Sequence, residues 1–459
     1  MITIKSASII VPSEPTPNGI LWLSESDQMM QCSHEPLISI YKPNNNNDDI
    51  ILPFSSETMK VSLSRALVHY YPLAGRLRSA DGGRFELVCN AMGAKLLEAY
   101  SEAEVADLGD FAPTEAHQDL VPKIDYRTPI EEWPLLLVQL TRFRCGGFCV
   151  GTAICHTVVD GWSAGTFISS WAKLARGDDL RPDEIPFHDR TLLRSRQPVM
   201  PPRFDHREFS KPPLVIGSLD AKAEQKKKTS VALLKVSRKQ VEGLQKTTNE
   251  ILDDQTNLVK PIRPYSQYEA IASHIWRCAC KARAGDDRQP TRVRIAVDVR
   301  NRMKPPLPRR YFGNAVFITV TSTCLYGELL SKPLSYAAGI IREAAERMTD
   351  EYIRSALDFM TSQEQVGSLR INFSVQGNTE ALSFPGNPNL VIPSWVKLPL
   401  YGTDFGWGKP VYVGPGMLTV EGKSLIMSSP ASDGSLIVAL CLQTQCMDSF
   451  KKFFYEDMI

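Results

Sequence analysis

The chain has 459 residues, of which 43% are hydrophobic and 22% are charged, and 52 basic residues nearly balance 51 acidic ones. This length exceeds what one ordinary hydrophobic core needs, so we expect a globular protein of two domains. The balanced charge argues against nucleic acid and anionic membrane surfaces as partners, because both are usually bound by a basic face. No apolar run approaches the roughly 20 residues that span a bilayer.

The first residues, MITIKSASIIVPSEPTPNG, alternate as a strand does. They lack the order of basic, apolar and small segments that marks a signal peptide. We therefore expect a cytoplasmic protein whose ten cysteines are reduced and serve as small apolar side chains. Cys278 and Cys280 form a Cys-x-Cys pair, but no further ligands cluster with them in the sequence, so we expect no metal.

The first half of the chain alternates helix and strand patterns. Residues 56–71 carry apolar side chains at helical spacing, and the following YPLAGRL ends that helix. Residues 134–157 are typical of two strands joined in a hairpin by Gly146 and Gly147. One face of the second strand is small, with Gly151 at its centre, which lets another element or a ligand approach closely.

That second strand leads directly into HTVVDG at 156–161, and a helix pattern follows as far as Gly177. His156 therefore lies at the end of a strand, where a side chain can face a cleft. The spacing of His156 and Asp160 leaves two interpretations open: a general base, or a histidine hydrogen-bonded within the turn. A metal site and a serine triad are weaker alternatives.

The second half begins after a change of composition. Prolines and then Lys226, Lys227 and Lys228 mark an extended, solvated crossover. We predict an N-terminal domain over 1–190, a crossover over 191–228 and a C-terminal domain over 229–459. Within the last range, strand and helix patterns alternate again.

Two helices of the second half have recognisable patterns. SQYEAIASHIWRCACKAR is amphipathic, with Ser266 as N-cap and Glu269 completing a capping box. Residues 335–360 are also helical in pattern. With the strand patterns on either side, they place the chain in the α/β class.

Four short motifs carry a resemblance to a known family. HTVVDG at 156–161 and DFGWG at 404–408, with YPLAGRL at 71–77 and YFGN at 311–314, resemble the plant BAHD acyl-CoA-dependent acyltransferases, and the resemblance runs from about residue 5 to the C-terminus. It implies two chloramphenicol-acetyltransferase-like domains, each a mixed β-sheet with flanking helices, and an active-site channel between them. Acyl-CoA is then a substrate, no cofactor is required, and the enzyme is expected to act as a monomer on small molecules.

The resemblance also implies roles for individual residues. His156 would be the base that deprotonates the acceptor, while Asp160 would pair with Arg300 and hold the loop. Asp404 of DFGWG accompanies the histidine in this family, and its geometry favours a brace over proton transfer. Trp395 would donate to the oxyanion, although Pro393 stands where related enzymes have a threonine.

The acceptor side departs from the shikimate-using members of the family. Those relatives place an arginine fifteen residues before the tryptophan, where this chain has Glu380. HEPLISIY at 34–41 places Glu35, Ser39 and Tyr41 along the expected acceptor pocket. Carboxylates bind ammonium groups, so the two acids favour a cationic acceptor. CoA contacts are expected from the second domain, at Ser266, Arg300 and the YFGN loop.

The chain most closely resembles the spermidine hydroxycinnamoyl transferases of this family. The resemblance implies transfer of a hydroxycinnamoyl group from CoA to spermidine nitrogens, which forms phenolamides. O-acylation of shikimate or quinate is the first alternative. A catalytically silent binding protein on the same scaffold is the second.

Overall fold

The structure, a computed structural model, describes residues 2–43, 55–113, 115–219, 222–250, 263–370 and 386–458. Within these ranges no helix combines the length and the apolar character needed to cross a bilayer. The strands, numbered in chain order, are β1 Ile2–Ile10, β2 Gly19–Leu21, β3 His34–Tyr41, β4 Arg76–Ala80, β5 Arg84–Cys89, β6 Ala94–Ser101, β7 Leu136–Phe143, β8 Phe148–Cys155, β9 Thr229–Val236, β10 Pro290–Thr291, β11 Val293–Asp298, β12 Val316–Val320, β13 Cys324–Leu325, β14 Leu390–Val391, β15 Tyr412–Pro415, β16 Ser424–Ser428 and β17 Leu436–Gln443.

The helices lie between these strands and pack against the sheets. They are α1 Glu25–Met29, α2 Ser56–His69, α3 Glu115–Gln118, α4 Gly161–Ala175, α5 Lys222–Gln225, α6 Arg238–Glu250, α7 Gln267–Arg283, α8 Tyr326–Ser331, α9 Leu334–Glu346, α10 Asp350–Thr361, α11 Val366–Leu369 and α12 Thr444–Glu456. The predicted α/β class is therefore confirmed.

Five strands of the first half and β15 of the second build a six-stranded mixed sheet in the order β1-β6-β7-β8-β3-β15. The β6 and β7 strands are parallel, and the other neighbours are antiparallel. The predicted hairpin at Gly146 and Gly147 is confirmed, because β7 and β8 pair antiparallel across it and Gly146 has a φ of 86°. Helices α2 and α4 contact each other beside this sheet.

The second half holds a corresponding mixed sheet. β11 lies between antiparallel β12 and parallel β14, and β17 lies between antiparallel β16 and β9. Parallel bridges from Val391 to Lys423 and from Ser394 to Ile426 join these two groups of strands. Helices α6, α7, α9 and α12 contact one another beside them.

The sheets do not follow the predicted domain limits throughout. β15 belongs to the range 229–459, yet it pairs with β3 at the edge of the first sheet. Phe405 and Trp407, just before β15, belong to the apolar core of the first half. The chain therefore returns to the first sheet after completing most of the second, and the domain limits stay a prediction.

The crossover 191–228 has short turns and rests on the second half. Arg196 forms an ion pair with Asp358 of α10, and the His206 ring contacts the Ser355 hydroxyl at 2.9 Å. Lys226, Lys227 and Lys228 are exposed, as predicted. The capping box of α7 is confirmed, since Ser266 and Glu269 each bond the other's backbone N–H.

The predicted helix over 335–360 is two helices. α9 ends at Glu346, and α10 starts at Asp350 after Thr349. The side chain of Thr349 accepts a hydrogen bond from the backbone of Tyr352, which starts a new helix with its own N-cap. Apolar periodicity continues through the break, so it does not reveal the break.

Candidate active site

The strand that leads to His156 is buried along its whole length. A Cβ at Gly151 would lie 1.9 Å from the carbonyl oxygen of Leu120, so the loop after α3 packs directly on the small face of β8. The prediction that this face admits a close neighbour is confirmed. This packing fixes the end of β8, where the turn to α4 begins.

His156 is held by its backbone on two sides. Its N–H donates to the carbonyl of Ser33 at 2.9 Å, which extends the β8–β3 ladder by one residue. Its carbonyl accepts a 2.9 Å hydrogen bond from the side-chain amide of Asn314, in the other half. Ring atom Nδ1 is buried without a hydrogen-bond partner among the described residues, whereas the residue as a whole is half-buried. Nε2 is thus the ring nitrogen available to a bound molecule.

Asp160 points away from this ring and is the N-cap of α4. One carboxylate oxygen accepts from the backbone of Ser163 at 2.8 Å, and the other accepts from the backbone of Ala315 at 2.9 Å. Arg300 contacts both oxygens, at 2.9 and 3.0 Å. Burial alone would raise the pKa of Asp160, but the Arg300 guanidinium and the backbone donors hold it below its ordinary value. The predicted pairing of Asp160 with Arg300 is confirmed.

Arg300 is a buried brace. It is 4% exposed, and its guanidinium also donates to the hydroxyl of Ser163 at 3.1 Å and the carbonyl of Tyr311 at 3.4 Å. Its assignment as a CoA contact is wrong, because the Asp160 pair holds the guanidinium in the interior. The Ser266 hydroxyl is shared with Glu269 in the capping box, at 2.9 and 3.3 Å. A contact between Ser266 and CoA stays a prediction.

Asn314 is a positioning residue that sequence reasoning assigned to CoA binding through the YFGN loop. Its side-chain amide, fully buried, donates to the carbonyls of His156 and Thr157 and to the carboxylate of Asp27 at 2.9 Å. Asp27 is itself paired with Arg190 at 3.0 Å inside the protein. A polar residue at the end of an aromatic motif was the available signal, but its target 158 residues away could not be read from the sequence.

Ser163 excludes the serine-nucleophile interpretation. GWSAG at 161–165 has the G-x-S-x-G spacing of a serine nucleophile, so the spacing alone would have allowed one. The Ser163 side chain is fully buried and donates to the carbonyl of Gly313 at 2.9 Å. It therefore ties α4 to the YFGN loop.

Asp404 lies far from His156. Its Oδ1 accepts from the backbones of Gly406 and Gly408 at 2.7 and 2.9 Å, and its carbonyl accepts from Arg176. Arg176 follows the C-terminal end of α4, 16 residues beyond Asp160 and about 24 Å along the helix. The brace interpretation agrees with these contacts, and the catalytic assignment of Asp404 is wrong at this distance.

The predicted acceptor residues of β3 separate along the strand. Tyr41 is fully buried, its hydroxyl donates to the Thr403 carbonyl at 2.8 Å, and its ring stacks on Phe148. Ser39 is 4% exposed and lies opposite Val150, about 20 Å along the strand from His156. The structure therefore places Tyr41 in the core and does not bring Ser39 to His156.

Glu35 is at the site, but it is already paired. Its carboxylate lies 3.7 Å from the ammonium of Lys423 and accepts a hydrogen bond from the side chain of Gln31. Burial would raise the pKa of Glu35, whereas Lys423 and the nearby His156 ring hold it below its ordinary value. Sequence reasoning missed Lys423, which comes from the other half of the chain.

Trp395 is half-buried beside the second sheet. Its backbone donates to Ile426 at 2.7 Å, and its ring packs on the cluster of Leu425 and Met427. Its role as an oxyanion donor stays a prediction. Glu380 lies outside the described residues. Among the residues that are described, no group of three or more His, Cys, Asp or Glu side chains could hold a metal ion.

The cysteines all fall within the described ranges. The ten are free, and eight of them are buried. Burial raises the pKa of the Cys32 thiol, which is half-buried near His156, to about 11, so this thiol is protonated at neutral pH. These thiols act as small core side chains, as expected from the sequence.

A family model described as the Transferase family matches residues 1–457. The chain belongs to the Transferase (BAHD) family. Its members transfer acyl groups from CoA, so this chain is an acyl-CoA-dependent acyltransferase. The resemblance read from HTVVDG and DFGWG is confirmed at this level.

Two similar proteins are named for the acyl group that they transfer. The chain is 47% identical over 464 residues to a hydroxycinnamoyl-CoA:piscidic acid hydroxycinnamoyltransferase of Actaea racemosa, covering 100% of both sequences. It is 40% identical over 457 residues to a shikimate O-hydroxycinnamoyltransferase of Nicotiana tabacum, covering 99% of both. These BAHD relatives are named for hydroxycinnamoyl transfer, and neither is named for spermidine.

A solved BAHD-like structure confirms the fold. Vinorine synthase superposes with a TM-score of 0.71 at 23% identity, covering 98% of this chain and 96% of that one. The expected pair of acyltransferase domains with mixed sheets is thus confirmed as architecture.

Proposed function

We propose that this chain transfers a hydroxycinnamoyl group from its CoA thioester to a hydroxyl group of a small carboxylic acid. One observation carries the chemistry. His156 is bonded through its backbone to Ser33 of the first half and Asn314 of the second, while Asp160 is committed to Arg300. The imidazole is therefore placed where the two halves meet, without a carboxylate partner from its own motif.

The reaction uses His156 twice. Nε2 accepts the proton of the acceptor hydroxyl as the oxygen attacks the thioester carbonyl. The tetrahedral intermediate collapses, the carbon–sulfur bond breaks, and the imidazolium returns the proton to the departing CoA thiolate. The products are an ester and CoA, and the base is regenerated. Holding both substrates together supplies much of the rate by proximity.

The negative charge on the intermediate needs a donor. Trp395 is the residue we assign to it, because its indole N–H can donate and its backbone is anchored to Ile426 at 2.7 Å. Pro393 has no N–H and no hydroxyl, so it supplies no second donor.

The acid acceptor is supported by two observations. The relatives at 47% and 40% identity are named for piscidic acid and shikimate. Within the site, Glu35 is balanced by Lys423 at 3.7 Å, so it does not offer an uncompensated charge to an ammonium group. One of the two acids that favoured an amine acceptor is thereby removed from that argument.

Spermidine N-acylation is the second candidate, and it rests on Glu380. A glutamate replaces the arginine that shikimate-using relatives carry at this spacing before Trp395, and a glutamate would bind an ammonium group. Glu380→Arg should abolish amine use if this candidate is correct. Unchanged amine turnover in this variant would remove Glu380 as the residue that binds the ammonium group.

The deciding experiment is a product screen by mass spectrometry. p-Coumaroyl-CoA is offered with piscidic acid, shikimate, quinate, spermidine and putrescine, and thiol release is followed in parallel. We expect esters of the acids and no amides. Amides of spermidine without esters would overturn the acid acceptor, and no thiol release with any acceptor would favour a silent binding protein.

The base is tested with His156→Ala. We expect turnover to fall at least a thousandfold, to about background, while the unfolding midpoint stays near that of the unchanged protein. His69→Ala, a half-buried histidine at the end of α2, is the matched control and should keep full activity. Full activity of His156→Ala would end the general-base assignment.

A further inference from the structure

Glu35 and His156 share one face of the first sheet. Glu35 lies opposite Ile154 in the β3–β8 register, and the N–H of His156 bonds the carbonyl of Ser33 in the same ladder. His156 is the second residue after Ile154, so Glu35 and His156 are diagonal neighbours across the two strands. Such neighbours lie about 7–8 Å apart, within reach of long side chains.

The Glu35 carboxylate is kept in place from two directions. Gln31, before β3, donates to it, and the Lys423 ammonium lies 3.7 Å away. Lys423 precedes β16 and bridges Val391, so it belongs to the second half. The ion pair therefore crosses between the halves beside the catalytic histidine. The pKa of Glu35 is held below its ordinary value by Lys423 and His156, against the effect of burial.

The other titratable groups around Glu35 are neutral near neutral pH. Burial raises the pKa of Tyr126 to about 12 and that of Cys32 to about 11, and it raises the pKa of Cys155 as well. Burial lowers the pKa of His34 to about 4. The charges that lower the pKa of Glu35 are therefore those of Lys423 and His156, and the Arg370 guanidinium acts on the neighbouring Cys32 thiol.

We propose that Glu35 is a positioning residue whose negative charge stabilises the protonated form of His156, and that Lys423 limits this effect. The inference rests on His156 as the base of the proposed function. When His156 takes the proton of the acceptor, a positive charge forms on its ring. Glu35 lowers the energy of that charge, and the proton then leaves with the CoA thiolate.

The arrangement accounts for the separate roles of the two acids near the histidine. Asp160 is held in the interior by Arg300 and two backbone donors, so its negative charge is balanced there. Glu35 is closer to the surface and faces His156 from the neighbouring strand. Its effect depends on distance and charge, because no direct bond from Glu35 to the ring is required.

Two substitutions give opposite shifts. Glu35→Gln keeps the shape and removes the negative charge, so kcat should fall about fivefold to tenfold at unchanged KM. The acid side of the pH profile of kcat/KM should move to lower pH by roughly half a unit to one unit, because the protonated ring loses a stabilising charge. Lys423→Met removes the opposing positive charge and should move the acid side of the profile to higher pH. The double variant should lie between the two.

A second readout does not depend on turnover. The ring proton resonances of the histidines are titrated by NMR in the free protein, and His156 is assigned with His156→Ala. Its titration midpoint should shift down in Glu35→Gln, up in Lys423→Met, and back towards the starting value in Glu35→Asp. The matched control is Glu98→Gln on β6, which removes an ion pair with Lys60 of α2 and should shift nothing.

The outcomes separate this proposal from the proposed function. An inactive His156→Ala with a Glu35→Gln variant that is unchanged in kcat, pH profile and NMR titration would overturn the role of Glu35 alone. Shifts of the His156 titration in the same direction for Glu35→Gln and Lys423→Met would also overturn it. Such shifts would mean that loss of the ion pair as a structural contact, and not the charge of either partner, affects His156. Full activity of His156→Ala would remove the base itself.

Discussion

Asp160 and Arg300 are joined by a 2.9 Å ion pair in which the residues are 1% and 4% exposed. They lie 140 residues apart in the sequence, one in each half of the chain. Ser163 and Ala315 complete the set of donors to the carboxylate. The pair therefore fastens the start of α4, and with it the His156 turn, to the second half.

Replacing Asp160 by Asn tests this role. The guanidinium of Arg300 would lose its buried counter-charge and keep only the half-exposed Asp298, and breaking a buried pair in this way costs about 3–5 kcal/mol of unfolding free energy. Urea unfolding followed by fluorescence measures the loss. Asp298→Asn is the control, because Asp298 contacts the same arginine at 3.3 Å but is half exposed, and it should change little. A stable but fully inactive Asp160→Asn protein would instead indicate direct chemistry.

The same pair predicts a dependence of stability on pH. The pKa of Asp160 is lower in the folded protein than in the unfolded chain, so its contribution is fully present above the unfolded value of about 3.9. It is lost as pH falls through the folded value. The difference in unfolding free energy between the unchanged protein and Asp160→Asn should be constant from pH 6 to 8 and shrink below about pH 4. A constant difference down to pH 2.5 contradicts the assignment.

Asp404 should matter for stability and leave the chemistry unchanged. Asp404→Ala removes the acceptor for the backbones of Gly406 and Gly408 and should cost about 1–3 kcal/mol. Asp404→Asn keeps an oxygen there and should be milder. For both, kcat per folded molecule and its pH profile should match the unchanged protein. A hundredfold loss of kcat in folded Asp404→Asn would restore a catalytic role.

Trp395→Phe tests the oxyanion donor. The ring remains, so packing on Leu425 and Met427 should persist, whereas loss of the indole N–H should lower kcat about a hundredfold at similar KM. Steady-state kinetics with thiol detection give both constants. Trp22→Phe, which keeps an aromatic ring under Arg194, is the control and should retain kcat. Unchanged kcat in Trp395→Phe would assign the oxyanion to another group.

Asn314→Ala tests the positioning of His156 from the second half. Three buried acceptors, including the His156 carbonyl and the Asp27 carboxylate, would lose a donor. We expect a loss of about 2–3 kcal/mol in stability and a tenfold or greater fall in kcat, because the turn is freed. Measurements at 10 °C keep the variant folded. A variant with normal kcat at that temperature would show that the Ser33 bond alone holds the turn.

Much of this protein could be read from its sequence, because the responsible interactions are local. Apolar periodicity located α2, α4 and α7, and the glycines at 146 and 147 located the β7–β8 hairpin. The motifs HTVVDG and DFGWG identified the family, and the prediction of His156 as the base came from that resemblance. The pairing of Asp160 with Arg300 was reached through the same resemblance.

The acceptor region required the tertiary structure. Glu35 appeared as a free acid in the sequence, but Lys423, 388 residues later and just before β16, lies 3.7 Å from it and balances its charge. Asp404 appeared beside His156 in the motif pattern, yet α4 separates them. The sequence by itself determined the fold class and placed His156 at the end of a strand, since strand ends and helix caps depend on neighbouring residues. Only the tertiary structure shows which charges surround that histidine, because it brings residues of the two halves close together. Electrostatic effects depend on distance in space and not on separation along the chain.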